Sequence, residues 1–190
     1  MARKNRSQNI AVIAVFFAVM LVVHLLSSLV FNFWPVPIKP TIIHIPVIIA
    51  SIVYGPRVGG TLGGLMGLVS VIHNTIFLMP TSYLFSPFVA PGNVYSLIIA
   101  LVPRIMIGIL PYFVYKYLKN RFGLLCAGAV GSATNTVLVL SGIFIFFVQA
   151  NNSNVKAFLA TIVWSNSIAE LLIATVVTVI AVPRLQKLKK

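Results

Sequence analysis

Two charged residues lie inside long apolar stretches of this sequence, and they limit the chemistry the chain can perform. Arg104 and Glu170 each stand within such a stretch. Charged side chains at these positions are costly to place in lipid and by default mark function. Glu170 is the only acid in the chain, so phosphotransfer on divalent cations is excluded, and a proton- or sodium-coupled carrier is disfavoured. An arginine with almost no acid nearby favours an anionic or neutral polar ligand over a cation.

The sequence also lacks the residue patterns of other kinds of catalytic centre. The three histidines lie in three different apolar runs without the H-E-x-x-H spacing of a zinc site, and no G-x-S-x-G motif occurs. The one cysteine, Cys126, excludes a disulfide framework and a thiolate metal cluster. We therefore predict a binding or transport subunit with no catalytic residue, no metal ligand and no cofactor of its own.

Polar residues within or beside the apolar runs are the candidates for ligand binding. Arg104 lies ten residues into its run, about 15 Å along a helix and near the middle of a membrane. Amide side chains lie at similar depths in later runs, and a Pro-rich loop follows the first run. The predicted substrate-binding residues are Arg104, Asn135, Asn166, Asn74, Lys39 and Trp34.

Each of these candidates also has a purely structural interpretation. Arg104 could pair with Glu170 and lock two helices together. Amides in membrane helices often form interhelical hydrogen bonds. Trp34 could anchor the chain at the membrane interface, and Lys39 could simply be solvated. The residue types alone leave both interpretations open.

The composition shows what kind of structure must hold these residues. Of 190 residues, 59% are hydrophobic and 8% are charged, and the mean hydropathy is +1.05. A soluble domain carries about 25% charged residues, so a soluble enzyme is excluded, and disorder is excluded by the apolar content. A membrane-spanning helix needs about 20 apolar residues. We predict an all-α integral membrane protein with one domain over residues 1–190 and spans at 10–31, 42–54, 58–78, 94–117, 123–148 and 155–182. The second run is short and contains Pro46, so it is either a short tilted helix or a re-entrant segment.

The positive charges predict the orientation of these six spans. The net charge is +13, and if both termini are cytoplasmic, eleven of the fourteen Lys and Arg residues lie on the inside. This asymmetry follows the positive-inside rule and explains the charge better than binding of nucleic acid. The sequence contains no nucleotide-binding loop, so any energy source must belong to another chain.

Small residues form two stripes at helical spacing. Gly59, Gly63 and Gly67 repeat every four residues in the third run, and Ala11, Ala14 and Ala18 form a stripe in the first. Such stripes let helices approach closely. Each could pack inside the protein, or it could dock another membrane protein.

Several of these segments together resemble one family. The chain is similar to the substrate-binding S components of energy-coupling factor (ECF) vitamin transporters. The six-run layout and the Ala14-x-x-x-Ala18 pattern match the family, the latter resembling its motif for docking the T component. Three further stretches carry the resemblance, and it covers nearly the whole chain. They are Thr41-Ile-Ile-His-Ile-Pro46 through Tyr54-Gly-Pro-Arg57, Phe85-Ser-Pro-Phe88, and Leu101-Val-Pro-Arg104 with Gly108.

The resemblance implies a function and a set of partners. An S component binds a vitamin from outside the bacterial cell membrane and delivers it inward with a T component and two ATPases that use ATP. The loop after the first span, residues 32–41, would act as the gate. Residues 41–104 are most similar to the pantothenate subgroup, and Arg104 or Lys39 could hold that vitamin's carboxylate. Hydroxymethylpyrimidine, riboflavin and folate remain alternative substrates, and an autonomous small carrier or a structural subunit remain alternative functions.

Overall fold

The part of the chain that the structure, a computed structural model, describes is mostly helical. Backbone is described for residues 2–33, 42–79, 81–147 and 153–188, and side chains for residues 7–30, 42–79, 81–147 and 167–188. These residues form seven α-helices and a short 3₁₀ turn at Ser82–Leu84, and they contain no β-strand. The helices are α1 (Ala2–Phe33), α2 (His44–Tyr54), α3 (Pro56–Ile76), α4 (Val94–Ile107), α5 (Leu110–Leu118), α6 (Arg121–Phe146) and α7 (Ser153–Leu188).

The helices have the length and surface of a membrane protein. Four described segments are long and apolar enough to cross a membrane: Ser7–Val30, Val94–Leu118, Arg121–Phe146 and Ser167–Leu188. Large apolar side chains such as Val15, Leu172 and Val137 point out of the bundle and are more than half exposed. A soluble protein would bury such residues, whereas lipid accepts them. The chain is therefore an all-α membrane protein.

The short second run is a helix that the bundle encloses. Ten of the eleven residues of α2 are buried, all but Tyr54. The helix packs against α1, α3, α5 and α7. At about 1.5 Å per residue it is too short to cross a membrane upright. Gly55 ends it with a φ of 100°, a conformation that glycine adopts without strain, and Pro56 then begins α3.

The glycine stripe of α3 packs directly on the backbone of α4. A methyl group added at Gly63 would overlap the carbonyl of Arg104, and one at Gly67 would lie 2.8 Å from the carbonyl oxygen of Ala100. Gly59 and Gly108 meet in the same way further along the pair. The interpretation of this stripe as internal packing is confirmed. The close contact also fixes the position of Arg104 along α3.

The predicted span over residues 94–117 coincides with the apolar segment Val94–Leu118, but the structure divides this segment into α4 and α5. The backbone amide of Gly108 donates to the carbonyl oxygen of Ile105 at 3.0 Å, and the amide of Ile109 donates to the carbonyl oxygen of Met106 at 3.0 Å. These bonds reach back three residues instead of four, so the helix tightens here. Pro111 has no amide hydrogen to bond back to Ile107, so the regular α-helical ladder cannot continue across this point. Membrane helices tolerate such breaks when neighbouring helices pack against the freed groups.

The last two helices, α6 and α7, pack closely side by side. A methyl group on Gly128 would lie 2.9 Å from the α-carbon of Thr175. Further along, the hydroxyls of Thr136 and Ser167 are hydrogen-bonded at 2.8 Å. On α7 the buried residues recur every fourth position, beginning at Glu170, so this acid faces the interior of the bundle.

Candidate binding site

Arg104 is a buried cation in the middle of the helix bundle. It belongs to α4, and only 9% of its surface is exposed. Its Nη1 donates a hydrogen bond to the carbonyl oxygen of Ile99 at 2.8 Å. That carbonyl is free to accept because Pro103, four residues later, has no amide hydrogen. Its Nε has no hydrogen-bond partner in the described part of the chain, so a charged donor group is left for another acceptor.

An aromatic ring covers the Arg104 guanidinium. The ring centre of Phe85 lies 5.1 Å from the guanidinium carbon, within the range of a cation–π contact. Phe85 comes from the segment between α3 and α4, just after the 3₁₀ turn. Phe85 was not among the predicted binding residues, although it begins the Phe85-Ser-Pro-Phe88 stretch that carries part of the family resemblance.

Serine side chains hold this connecting segment in place. The Ser82 hydroxyl accepts from the amide of Met79 at 2.8 Å, and the Ser96 hydroxyl donates to the carbonyl of Tyr83 at 2.6 Å. Ser86 and Thr75 are hydrogen-bonded through their hydroxyls at 2.7 Å. These bonds bracket Phe85 on both sides, so the ring is fixed over Arg104 by buried polar contacts.

A small cavity lies against Arg104 between α1, α3 and α4. Its volume is about 80 Å³, and no acidic side chain lines it. Asn74 is one of its polar groups, and its Nδ2 donates to the carbonyl of Ser70 at 2.8 Å. The cavity is lined by His24, Ile43, Met66, Val69, Ser70, His73, Asn74 and Arg104. The structure thus brings together two of the predicted residues, Arg104 and Asn74.

Two histidines form one wall of the cavity. The rings of His24 on α1 and His73 on α3 meet edge to face with centres 5.0 Å apart, and His73 also lies 4.8 Å from Phe77. Neither histidine was among the predicted binding residues. Histidine nitrogens can donate to or accept from hydroxyl and amide groups.

Asn135 lies in the bundle interior but does not line this cavity. It stands one turn from Gly131 and two turns from Gly142, and those glycines face Ile48 of α2 and Ile99 of α4. The Oδ1 of Asn135 is buried without a hydrogen-bond partner among the described residues. A buried acceptor of this kind is suited to an amide or hydroxyl donor.

Glu170 is the buried acid of α7, 7% exposed, and it attracts Arg104 electrostatically. The direct contacts of Arg104 are with the Ile99 carbonyl and the Phe85 ring. Glu170 therefore acts on Arg104 through its charge, from α7.

Three of the predicted binding residues lie outside what the structure describes. Trp34 and Lys39 fall between the described ranges, and of Asn166 only the backbone in α7 is described. In the described side chains, no group of three His, Cys, Asp or Glu residues is arranged to hold a metal ion.

The alanine stripe of α1 lies on the surface of the bundle. Ala11, Ala14 and Ala18 are all exposed, and Phe16 and Met20 turn inward instead. The interpretation of this stripe as internal packing is therefore wrong. Its small side chains leave a smooth helix face open for another helix.

Comparison with known proteins agrees with this architecture and identifies the family. Residues 8–182 match the model of the family "ECF transporter, substrate-specific component". The chain is 46% identical to the pantothenic acid transporter PanT of Lactococcus lactis subsp. cremoris, and the match covers 97% of each chain. It is 31% identical to the pantothenate transporter PanT of Leuconostoc mesenteroides, over 70% of this chain and 69% of that protein. Since the family is a transporter component and the relatives are named as transporters, this is not an enzyme. The chain belongs to the substrate-specific components of ECF transporters.

Proposed function

We propose that this chain is the pantothenate-binding subunit of an ECF importer. The observation that carries the proposal is the buried, partly unpartnered guanidinium of Arg104 beside a cavity that no acid lines. Pantothenate is a monoanion with one carboxylate, one amide and two hydroxyls. The relatives named as pantothenate transporters support the same substrate.

The chemistry of pantothenate matches the groups at the site. The carboxylate would accept hydrogen bonds from the Arg104 guanidinium, the strong charge-assisted kind. Asn74 and the histidine wall would bond with the polar groups of the ligand nearest its carboxylate, and the buried Oδ1 of Asn135, which lies outside the cavity, would accept from a donor further along the ligand. Lys39, Trp34 and Asn166 complete the proposed set.

The cavity would hold only one end of the ligand. Sites for small molecules typically enclose about 300–1,000 Å³, whereas this cavity has a volume of about 80 Å³. We place the carboxylate end in it, against Arg104. The rest of the ligand needs space that opens when residues 32–41, the proposed gate, move.

The proposed topology makes this site face outward. If the short helix α2 is counted as a crossing and α4 with α5 as one, six crossings would put both termini in the cytoplasm and eleven of the fourteen basic residues inside. The Phe85 segment and the Asn74 end of α3 then lie on the outside of the bacterial cell membrane.

The exposed alanine stripe of α1 is the proposed docking surface for the T component. It is close to the basic amino terminus, which the proposed topology places in the cytoplasm. The T component would connect this chain to two ATPases, and these would use ATP to drive delivery of the vitamin.

Equilibrium binding of pantothenate to the purified chain tests the proposal. The wild type should bind pantothenate in preference to hydroxymethylpyrimidine, riboflavin and folate. Arg104→Ala should weaken binding about 10- to 150-fold, the range for a hydrogen bond to a charged group. Arg57→Ala removes an exposed arginine and is the control that should bind normally. A wild type that prefers another of these vitamins would overturn the assignment of pantothenate.

A further inference from the structure

A proline inside α4 leaves a buried carbonyl without its usual partner. In a regular helix, the carbonyl of Ile99 would accept from the amide of residue 103. That residue is Pro103, which has no amide hydrogen and whose ring pushes the carbonyl four residues earlier away from the helix axis. Ile99 and Pro103 are both buried, so water is not at hand to replace the missing donor.

The next residue supplies the missing donor. Arg104 Nη1 lies 2.8 Å from the Ile99 oxygen, and the guanidinium is also covered by Phe85. An arginine side chain has many rotamers and loses conformational entropy when it is fixed in one of them. Here the carbonyl fixes one terminal nitrogen, while Nε has no partner among the described residues. The Nε–Nη2 edge of the guanidinium is the fork that binds a carboxylate with two parallel hydrogen bonds.

We propose that Pro103 is a positioning residue that determines specificity for a carboxylate. By freeing the Ile99 carbonyl, it holds Arg104 with one nitrogen occupied and the Nε–Nη2 edge presented to the ligand. This inference rests on the proposed function, because it concerns how the same arginine recognises the anionic end of pantothenate.

The test compares two ligands that differ only at that end. Panthenol is pantothenate with the carboxylate replaced by a hydroxymethyl group. The ratio of the two dissociation constants therefore measures recognition of the carboxylate, while a general disturbance of the helix weakens both ligands alike. Pro103→Ala restores an amide hydrogen at residue 103 and lets the Ile99 carbonyl return to the helical ladder.

A second proline provides the matched control. Pro183 also lies inside a helix, α7, and it is not among the residues that line the cavity. Pro183→Ala should leave the ratio unchanged. Pro103→Gly restores the same amide hydrogen without adding a side chain. It replaces Pro103→Ala in the comparison if that variant does not fold.

The wild type should prefer pantothenate over panthenol, and Pro103→Ala should lower that preference roughly tenfold, mostly by weakening pantothenate binding. An unchanged or increased preference in Pro103→Ala, with the wild type still selective, would overturn the role of Pro103 and leave the proposed function intact. A wild type that binds neither ligand would instead overturn the proposed function.

Discussion

The α3–α4 pair and α1 both carry small residues at steps of about four, yet the structure uses the two stripes in opposite ways. The glycines of α3 press against the α4 backbone, so that even one added methyl group at Gly63 meets the carbonyl of Arg104. The alanines of α1 face outward and are exposed on the surface of the bundle. One stripe fixes the site within the chain, and the other leaves a surface free. A small-residue pattern therefore indicates close helix packing, but not with which partner.

The largest expected effect comes from adding one methyl group to the α3–α4 contact. In Gly63→Ala the new carbon would lie 2.8 Å from the carbonyl carbon of Arg104 and 3.0 Å from the α-carbon of Ile105. The helices must separate, which should cost about 1–3 kcal/mol of stability and abolish pantothenate binding. Thermal unfolding in detergent and equilibrium binding measure both effects.

The neighbouring glycine provides the control for that change. A methyl group at Gly64 would meet only the Ile105 side chain at 3.9 Å, an ordinary contact. Gly64→Ala should therefore be neutral or gain up to about 1 kcal/mol from helix propensity. Equal losses of stability and binding in Gly63→Ala and Gly64→Ala would contradict the claim that only the Gly63 face of α3 is closely packed.

An added side chain on α1 should have the opposite pattern of effects. Ala14→Leu places a bulky group on the exposed stripe, so stability and pantothenate affinity should stay as in the wild type. Assembly with the T component should weaken about tenfold, since overpacking a helix contact costs about 1–3 kcal/mol. Copurification with the T component measures this, and Val19→Leu, also on an exposed position of α1, is the control. A loss of pantothenate binding in Ala14→Leu would contradict the proposal that the alanine stripe of α1 serves only for docking the T component.

A smaller effect is expected at the ring above Arg104. Phe85→Ala removes the cation–π contact and should weaken pantothenate binding about 2- to 30-fold, corresponding to about 0.5–2 kcal/mol. Phe88, three residues later in the same segment, is 78% exposed, and Phe88→Ala should bind as the wild type does. Isothermal titration measures the affinity of both variants. Similar losses of affinity in Phe85→Ala and Phe88→Ala would show that the contact of the Phe85 ring with Arg104 has no specific effect on binding.

Much of the helical framework could be predicted from the sequence, because long apolar runs permit few other structures. The break between α4 and α5 could not, since it depends on Gly108 meeting Gly59 and on the bonds around Pro111. In a membrane, glycine and proline alone do not show where a helix stops, because neighbouring helices can satisfy the freed groups.

The site was predictable in part for a similar reason. Arg104 was a candidate because a charge in an apolar run is costly, and Asn74 because it ends such a run; both line the cavity. Phe85, His24 and His73 were not identified, because their place at the cavity depends on how the Phe85 segment folds back and how α1 lies on α3. The bond from Arg104 to Ile99 had a local signal in Pro103, which removes one helical donor, but its geometry required the structure.

The central claim is that Arg104 recognises the carboxylate of pantothenate. It is tested most directly by a cycle of four affinities: wild type and Arg104→Gln, each with pantothenate and with panthenol. We expect a coupling between the guanidinium and the carboxylate of at least about 1.5 kcal/mol, with panthenol affinity little changed by the substitution. A coupling near zero, with both ligands weakened equally, would show that Arg104 supports the fold and does not bind the anion.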